Sequence, residues 1–196
     1  MKAQNTRSLS LIFKTLSLVV MLFLCACSDR KVSAQKNTTA QAEVKTLSVD
    51  IHTAVVSGNV KAIKQHIATG TDINEKDPYG GSTPLISASL FGKTEIATIL
   101  INAGADINVQ NNDGSTALHV AAFFCRPEIV KMLLGKNANK AIRNNYNSTA
   151  YESVAGSFGD VKSTYEMMEK MLGPMGLKLD FAYVEKTRPV IAEMLK

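Results

Sequence analysis

Ser82 to Asn108 reads STPLISASLFGKTEIATILINAGADIN, and Ser115 to Lys140 reads STALHVAAFFCRPEIVKMLLGKNANK. The second stretch is a degenerate copy of the first. Thr83, Thr116 and Thr149 follow one another at intervals of 33 residues. A fixed period of this length marks stacked supersecondary units, so function is sought on a repeated surface rather than in one active site.

Each copy carries the signals of two helices and a turn. Thr116 stands where a helix N-cap is wanted, and the equivalent Thr83 is followed by Pro84 at the first helical position. Ala88, Ala121 and Ala122 are small, which lets neighbouring units approach closely. Ile129, Val130, Leu133 and Leu134 recur at helical spacing and form a stripe that one unit cannot bury alone. Gly92 and Gly104 suit the positive φ found at helix ends. Cys125 and Asn137 take those places in the next copy. Asn tolerates the geometry and Cys does not, so the loop at Cys125 either differs or is strained.

The pattern resembles the ankyrin repeat. That family has a turn ending in Gly, then T-P-L-H-x-A-A on a first helix, E-I-V-x-L-L on a second, and a closing G-A-D-x-N. Gly81, Thr83, Pro84, Leu85, Ala88, Glu95, Ile96, Leu100, Gly104, Ala105, Asp106 and Asn108 match. So do Gly114, Thr116, Leu118, His119, Ala121, Ala122, Glu128, Ile129, Val130, Leu133 and Ala138. Asp50 to Asp72 reads as an N-terminal half unit. A fourth unit starts at Asn139, keeps Thr149, Ala150 and Ala155, and then drifts. Met171-Leu172 stands in for Met132-Leu133 but 39 residues on, so this unit carries about six extra residues within 158–170. Val190 to Leu195 echoes Glu95 to Leu100 and reads as the second helix of a shortened closing unit. The resemblance implies an all-α fold: an α-solenoid of stacked helix-turn-helix repeats with short turns and hairpin-like tips. It places the repeat domain at 47–196, with about four units and a C-terminal helical cap.

The N-terminus speaks to location. Lys2, Arg7 and Lys14 precede or flank an uncharged run that extends from Thr15 to Ala26 and is too short to span a membrane. It ends Leu24-Cys25-Ala26-Cys27, which resembles the bacterial lipobox. That resemblance implies a signal peptide at 1–26, cleavage before Cys27 and lipidation (palmitate-class acylation) of Cys27. Residues 27–46 lack apolar periodicity and read as a flexible tether. Ser28, where Asp would favour inner-membrane retention, leans towards the outer membrane. The implied place is a bacterial cell envelope, lipid-anchored.

Removal of residues 1–26 leaves 19 basic against 17 acidic residues, which offers no case for nucleic acid as a partner. Cys125 would then be the sole unlipidated cysteine, so no internal disulfide is expected. His119 occupies the family's structural His position and His52 matches it. No pair of histidines stands at i, i+4, and no phosphate loop, Ser elbow or paired-carboxylate motif occurs. The reading is a non-enzyme with no catalytic residue, cofactor, metal site or small-molecule substrate.

The resemblance implies binding along turn tips and exposed first-helix positions. At the tips these are Lys76, Pro78, Tyr79 and Ser82, then Gln110, Asn112, Asp113 and Ser115, then Asn144, Tyr146 and Asn147. On the first helices they are Leu90 and Phe91, then Phe123 and Phe124, with Val56 and Ser57, and Gly156 and Ser157, in the flanking units. Four large apolar side chains at equivalent places in adjacent units suggest a hot-spot patch for another protein, unless one Phe of each pair folds back as core. Three roles fit: an envelope scaffold or adaptor, an immunity or inhibitor protein against a secreted toxin or enzyme, and an oxidative-stress defence factor in which Cys125 takes part.

Overall fold

The computed structural model describes residues 49–196. The expected signal peptide, Cys27 and the tether lie outside these residues. Among the described residues there are helices and turns and no strand, an all-α solenoid as expected.

The first unit pairs α1 (Ile51–Ser57) with α2 (Val60–Ala68), the second α3 (Pro84–Leu90) with α4 (Thr94–Asn102), and the third α5 (Ala117–Phe123) with α6 (Pro127–Gly135). Side chains start several of these helices. Asp50 accepts from the Thr53 N–H, Asn59 from that of Ala62 and Thr83 from that of Ile86. First helices pack on first helices along the stack and second helices on second helices. Leu85, Ile96, Leu100, Leu118, Ile129 and Leu133 are fully buried between them. Ala88, Ala121 and Ala122 are buried to 0% exposure, so their smallness sets how closely units approach.

The fourth unit departs from expectation. It runs α7 (Glu152–Ala155), α8 (Phe158–Leu172), a 3-10 turn at Gly173–Met175, and α9 (Phe181–Leu195). The extra residues do lengthen a helix without breaking the stack, since α8 has 15 residues. But α8 is not the unit's second helix. Met171 is 60% exposed where its supposed equivalent Met132 is half-buried, and Leu172 is half-buried where Leu133 is at 0%. The second-helix place beside α6 belongs to α9, whose Ile191 and Leu195 are buried as Ile129 and Leu133 are. The matching sequences are Arg126-Pro127 to Leu134 and Arg188-Pro189 to Lys196. Pro127 and Pro189 lie 62 residues apart, 29 more than one period of 33. The fourth unit therefore carries an insertion of about that length between its two helices, and residues 190–195 belong to it rather than to a separate closing unit.

Pro189 records the join. Pro127 stands at the start of α6, where a missing N–H costs nothing. Pro189 stands inside α9, where proline removes a ladder hydrogen bond. The stretch Phe181–Arg188 is the tail of the insertion, fused in helical continuity onto the old starting position.

Polar links tie the tips and loops of successive units. The Asn112 N–H donates to the Gly80 carbonyl at 3.0 Å, and Asn145 repeats the bond to Asp113 at 2.9 Å. In the closing loops the Asp106 N–H donates to Asn74 Oδ1 and that of Asn139 to Asn108 Oδ1. His119 adds a buried link. Its Nδ1 accepts from the Thr116 N–H, and its Nε2 lies 3.1 Å from the Ser148 carbonyl of the next unit. That pattern requires the proton on Nε2. His52, at the matching place, makes neither bond.

Burial lowers the His119 pKa, against the upward pull of the Ser148 and Ile142 backbone bonds. A depressed pKa means that the unfolded chain protonates first. The contribution of His119 to stability is therefore whole above the ordinary value of 6.5 and lost as pH falls below it. His119→Ala should cost about 1–3 kcal/mol, the penalty for orphaned buried partners. It should also flatten the stability-against-pH curve just below pH 6.5, read by urea titrations at several pH values. An unchanged acid slope in the variant would assign that slope to other groups.

Candidate functional site

The turn tips are built alike. Asp77, Asn111 and Asn144 each turn a side-chain oxygen onto the backbone N–H groups of the tip that follows. Asp77 accepts from Tyr79 and Gly80 at 2.8 Å and from Ser82 at 2.7 Å. Asn111 accepts from Asp113 and Ser115, and Asn144 from Tyr146 and Ser148. Burial acts to raise the Asp77 pKa, but the N–H groups of Gly80, Tyr79 and Ser82 outweigh it and hold the carboxyl below its ordinary range. Gly81 and Gly114 complete the tips at φ 64° and 73°, and Asn147 takes the same geometry at 56°. A side chain at Gly81 would place its Cβ 2.2 Å from Asn112 Oδ1 in the next tip, so both φ and space demand glycine there.

These fixed tips hold their outermost side chains in water. Tyr79 is 91% exposed and Tyr146 74%, with Asn112 and Asp113 exposed on the tip between them. Tyr79, Asp113 and Tyr146 occupy equivalent positions in three successive units. An aromatic ring on a rigid turn, unburied within its own chain, is the kind of group that anchors protein interfaces.

The first-helix residues do not form one patch. Leu90 and Phe91 are half-buried at the end of α3. Phe124 is only 5% exposed, and Phe123 is half-buried beneath the ring of Tyr165. Phe123 and Tyr165 stack with centroids 4.6 Å apart and planes at 20°. Phe124 meets the same ring edge-on at 6.4 Å. Phe123 and Phe124 are therefore removed from the candidate docking face, because the inserted α8 already covers them. The large apolar residues of the third unit fit an intramolecular partner.

Tyr165 is the fully buried residue of α8. Its hydroxyl donates to the Phe123 carbonyl at 2.5 Å and accepts from Arg188 Nη1 at 2.8 Å. Phe158 lies against its ring, and Cys125 and Val184 complete this second small core. Cys125 keeps the left-handed backbone of Gly92, at φ 52°, so the loop is strained rather than remodelled. That conformation costs a non-glycine residue about 1–2 kcal/mol. The inserted segment supplies the compensation, since the thiol sits 3.7 Å from the Val184 carbonyl. At Gly92 a Cβ would come within 3.0 Å of Arg126 Nε. Cys125 has that Cβ, and the equivalent Arg188 reaches instead to Tyr165.

Burial pushes the Cys125 thiol from 9.0 up to about 11, against the pull of Arg188 and Arg126. The thiol is protonated at neutral pH and enclosed, which suits packing rather than redox chemistry. Among the described residues no group of three or more His, Cys, Asp or Glu side chains could hold a metal ion. Sequence reasoning missed Tyr165 and Arg188. The recurrence of Arg-Pro at 126–127 and 188–189 is the signal that could have found the insertion.

Residues 51–144 match the family model for ankyrin repeats in three copies. Human protein phosphatase 1 regulatory subunit 27 is 42% identical over 63 residues, 32% of this chain and 40% of that one. The human DNA-binding protein RFXANK is 36% identical over 62 residues, 32% of this chain and 24% of that one. The crystal structure of the ankyrin repeat domain of Bcl-3 is similar at a TM-score of 0.51 and 28% identity, covering 53% of this chain and 45% of that one. This chain thus spans less than half the length of each. Over residues 51–144 the repeats are thus similar to ankyrin repeats, and the match ends before α7 and the insertion.

Tyr165→Ala should cost the fourth unit about 3–5 kcal/mol, the usual effect of emptying a buried aromatic site. Hydrogen exchange should show α8 and residues 181–188 losing protection while α4 and α6 keep theirs. Equal loosening of α4 and α6 would mean that α8 is integral to the stack. Alkali should act on the same cluster. Burial raises Tyr165 from 10.0 to about 12, and Cys125 to about 11. Their contribution is whole below pH 9 and lost as pH rises through these values, because the unfolded chain ionises first. Phenolate absorbance during a pH titration reads this directly.

Proposed function

We propose that the protein is a protein-binding module, a scaffold or adaptor, tethered by lipid to the membrane of a bacterial cell envelope. The observation that carries the binding reading is the row of rigid tips with Tyr79 and Tyr146 exposed at its ends. Each tip is held by an Asx-type network and linked to its neighbour, so little conformational freedom is left to lose on docking. Leu90 and Phe91 extend the face onto the first helices of the N-terminal half. Among the described residues no catalytic constellation competes with this reading, and the relatives' names describe regulatory and binding proteins. The oxidative-stress reading draws no support from Cys125, whose thiol is buried and protonated.

The tether rests on Leu24-Cys25-Ala26-Cys27. Acyl chains hold by about 0.8 kcal/mol per buried methylene, so two or more chains make a stable anchor. The location in the outer membrane rests on Ser28 in the same way.

Crosslinking and pulldown from intact envelopes tests the binding face. Tyr79→Ser and Tyr146→Ser should each weaken capture by about 2 kcal/mol or more if they are hot spots. Their thermal melts should stay within about 0.5 kcal/mol of the parent, as for other exposed positions. Undiminished capture by the double variant would remove the tips from the interface and shift attention to Leu90 and Phe91. Intact mass tests the anchor. A mature chain starting at Cys27 with added acyl mass is expected, and a start elsewhere without acyl mass overturns lipidation. Cys27→Ala should leave the membrane fraction or remain unprocessed.

A further inference from the structure

Arg188 is the described residue whose charge is least accounted for. It is 2% exposed, yet among the described residues no carboxylate oxygen comes within 4.0 Å of it. Its acceptors are all neutral. One bond is short, the 2.8 Å contact from Nη1 to the Tyr165 hydroxyl. The other two, from Nη2 to the carbonyls of Ser153 and Gly156, are long at 3.4 and 3.3 Å. The Nε–H has no partner. The Tyr165 ring lies 5.9 Å from the guanidinium carbon and supplies only a weak electrostatic contact. Arg126, at the equivalent place one unit earlier, also has an unpartnered Nε, but it retains contact with water. A buried guanidinium is ordinarily matched by an anion, because desolvating an uncompensated charge is expensive.

Arg188 also lines a half-open cavity of about 400 Å³ between α7, the start of α8 and α9. That volume is within the range of small-ligand sites. Its apolar wall is formed by Tyr151, Val154, Phe158 and Pro189. Glu185, Glu193 and Lys196 are the other charged residues of the lining, and Lys196 is paired with Glu193 at 2.7 Å. The lining thus holds two cations and two carboxylates. A single negative charge can be accepted beside Arg188, whereas a phosphate dianion would meet the repulsion of Glu185.

We propose that this cavity is a binding site for a monocarboxylate with an apolar body, whose carboxylate is held by the Arg188 guanidinium. A guanidinium bonds a carboxylate more strongly than it bonds neutral carbonyls such as those of Ser153 and Gly156, and the aromatic and proline wall matches an apolar group beside it. The same chemistry is offered by a free organic acid and by the C-terminal carboxylate of a polypeptide. The site is separate from the tip face and stands whether or not that face binds protein.

The test uses the full-length chain with benzoate and its neutral counterpart benzamide. In parallel it uses an N-acetylated tripeptide ending in Phe, as the free acid and as the C-terminal amide. Thermal midpoints are followed at constant ionic strength, together with the Nε–H resonances of arginine side chains. Binding to the folded state should raise the midpoint with concentration. An acid should do so and shift one arginine Nε–H resonance, while its neutral counterpart should not. A response to benzoate alone identifies a free acid as the source, and a response to the peptide acid alone identifies a polypeptide terminus. Arg188→Met can fail to fold, because Arg188 also holds Tyr165. The decisive variant is Gly156→Glu, at an exposed lining residue where a Cβ meets nothing within 4 Å. It should abolish the response by setting a carboxylate at the mouth. No acid raising the midpoint above its neutral counterpart overturns the proposal, as does a full response retained in Gly156→Glu.

Discussion

No helix pair in this chain can bury its own apolar stripe. Ile129, Val130 and Leu133 on α6 reach 0% exposure only because α4 lies on one side and α9 on the other. Burial at about 25 cal/mol per Å² makes each contact between units favourable, and each unit is short of one such contact without its neighbour. Much else in the sequence follows from that dependence. Alanines sit where units meet because a larger residue would separate them. Left-handed residues recur at 58, 92 and 125 because the chain must turn back within a unit. The polar tips are linked across units because stacking brings them into register.

A stack has ends, and the two ends are treated differently. At the N-terminal end His66 bonds to the Val49 carbonyl and to Thr71, closing the first unit on itself. At the other end the chain adds material. The insertion covers the third unit's Phe123 and Phe124, which would otherwise be an apolar patch. It does so through one phenol ring placed between Phe123, Phe124 and Phe158. The strain at Cys125 belongs to the same arrangement. A glycine there would relax the backbone and give up the thiol's contact with the inserted segment.

The repeat was legible because it recurs. Thr83 and Thr116 report the same cap, and two copies of a pattern at one period are hard to produce by other means. The fourth unit was not legible to the same degree, for a physical reason. Met171-Leu172 and Met132-Leu133 have the same local character, a long apolar pair on an amphipathic helix. Nothing local distinguishes a face that meets a neighbour from one that meets water. Arg188-Pro189 did carry the information, since proline suits the first position of a helix and poorly suits an interior. Its position inside α9 hid that signal behind a continuous helical pattern. Of the candidate site, Tyr79, Asn112, Asp113 and Tyr146 are exposed at the tips as expected, because turn residues declare themselves. For Phe123 and Phe124 the sequence leaves patch and core open, because the deciding partner, Tyr165, lies 42 residues beyond Phe123 and follows no period.

On the proposed binding reading, the insertion also limits where a partner docks. In an uninterrupted stack the first helices of all units would offer equivalent surface beside the tips. Here α8 occupies that surface at the third unit through Phe123 and Phe124, and α7 is reduced to Glu152–Ala155. The large apolar pair Leu90 and Phe91 remains half-buried at the end of α3, next to the tip that carries Tyr79. The tips themselves run on past the covered helix, through Asp113 to Tyr146. A partner that follows the whole row must therefore touch turns at one end and turns with helix at the other. On the proposed binding reading, that asymmetry sets more apolar surface beside Tyr79 than beside Asp113.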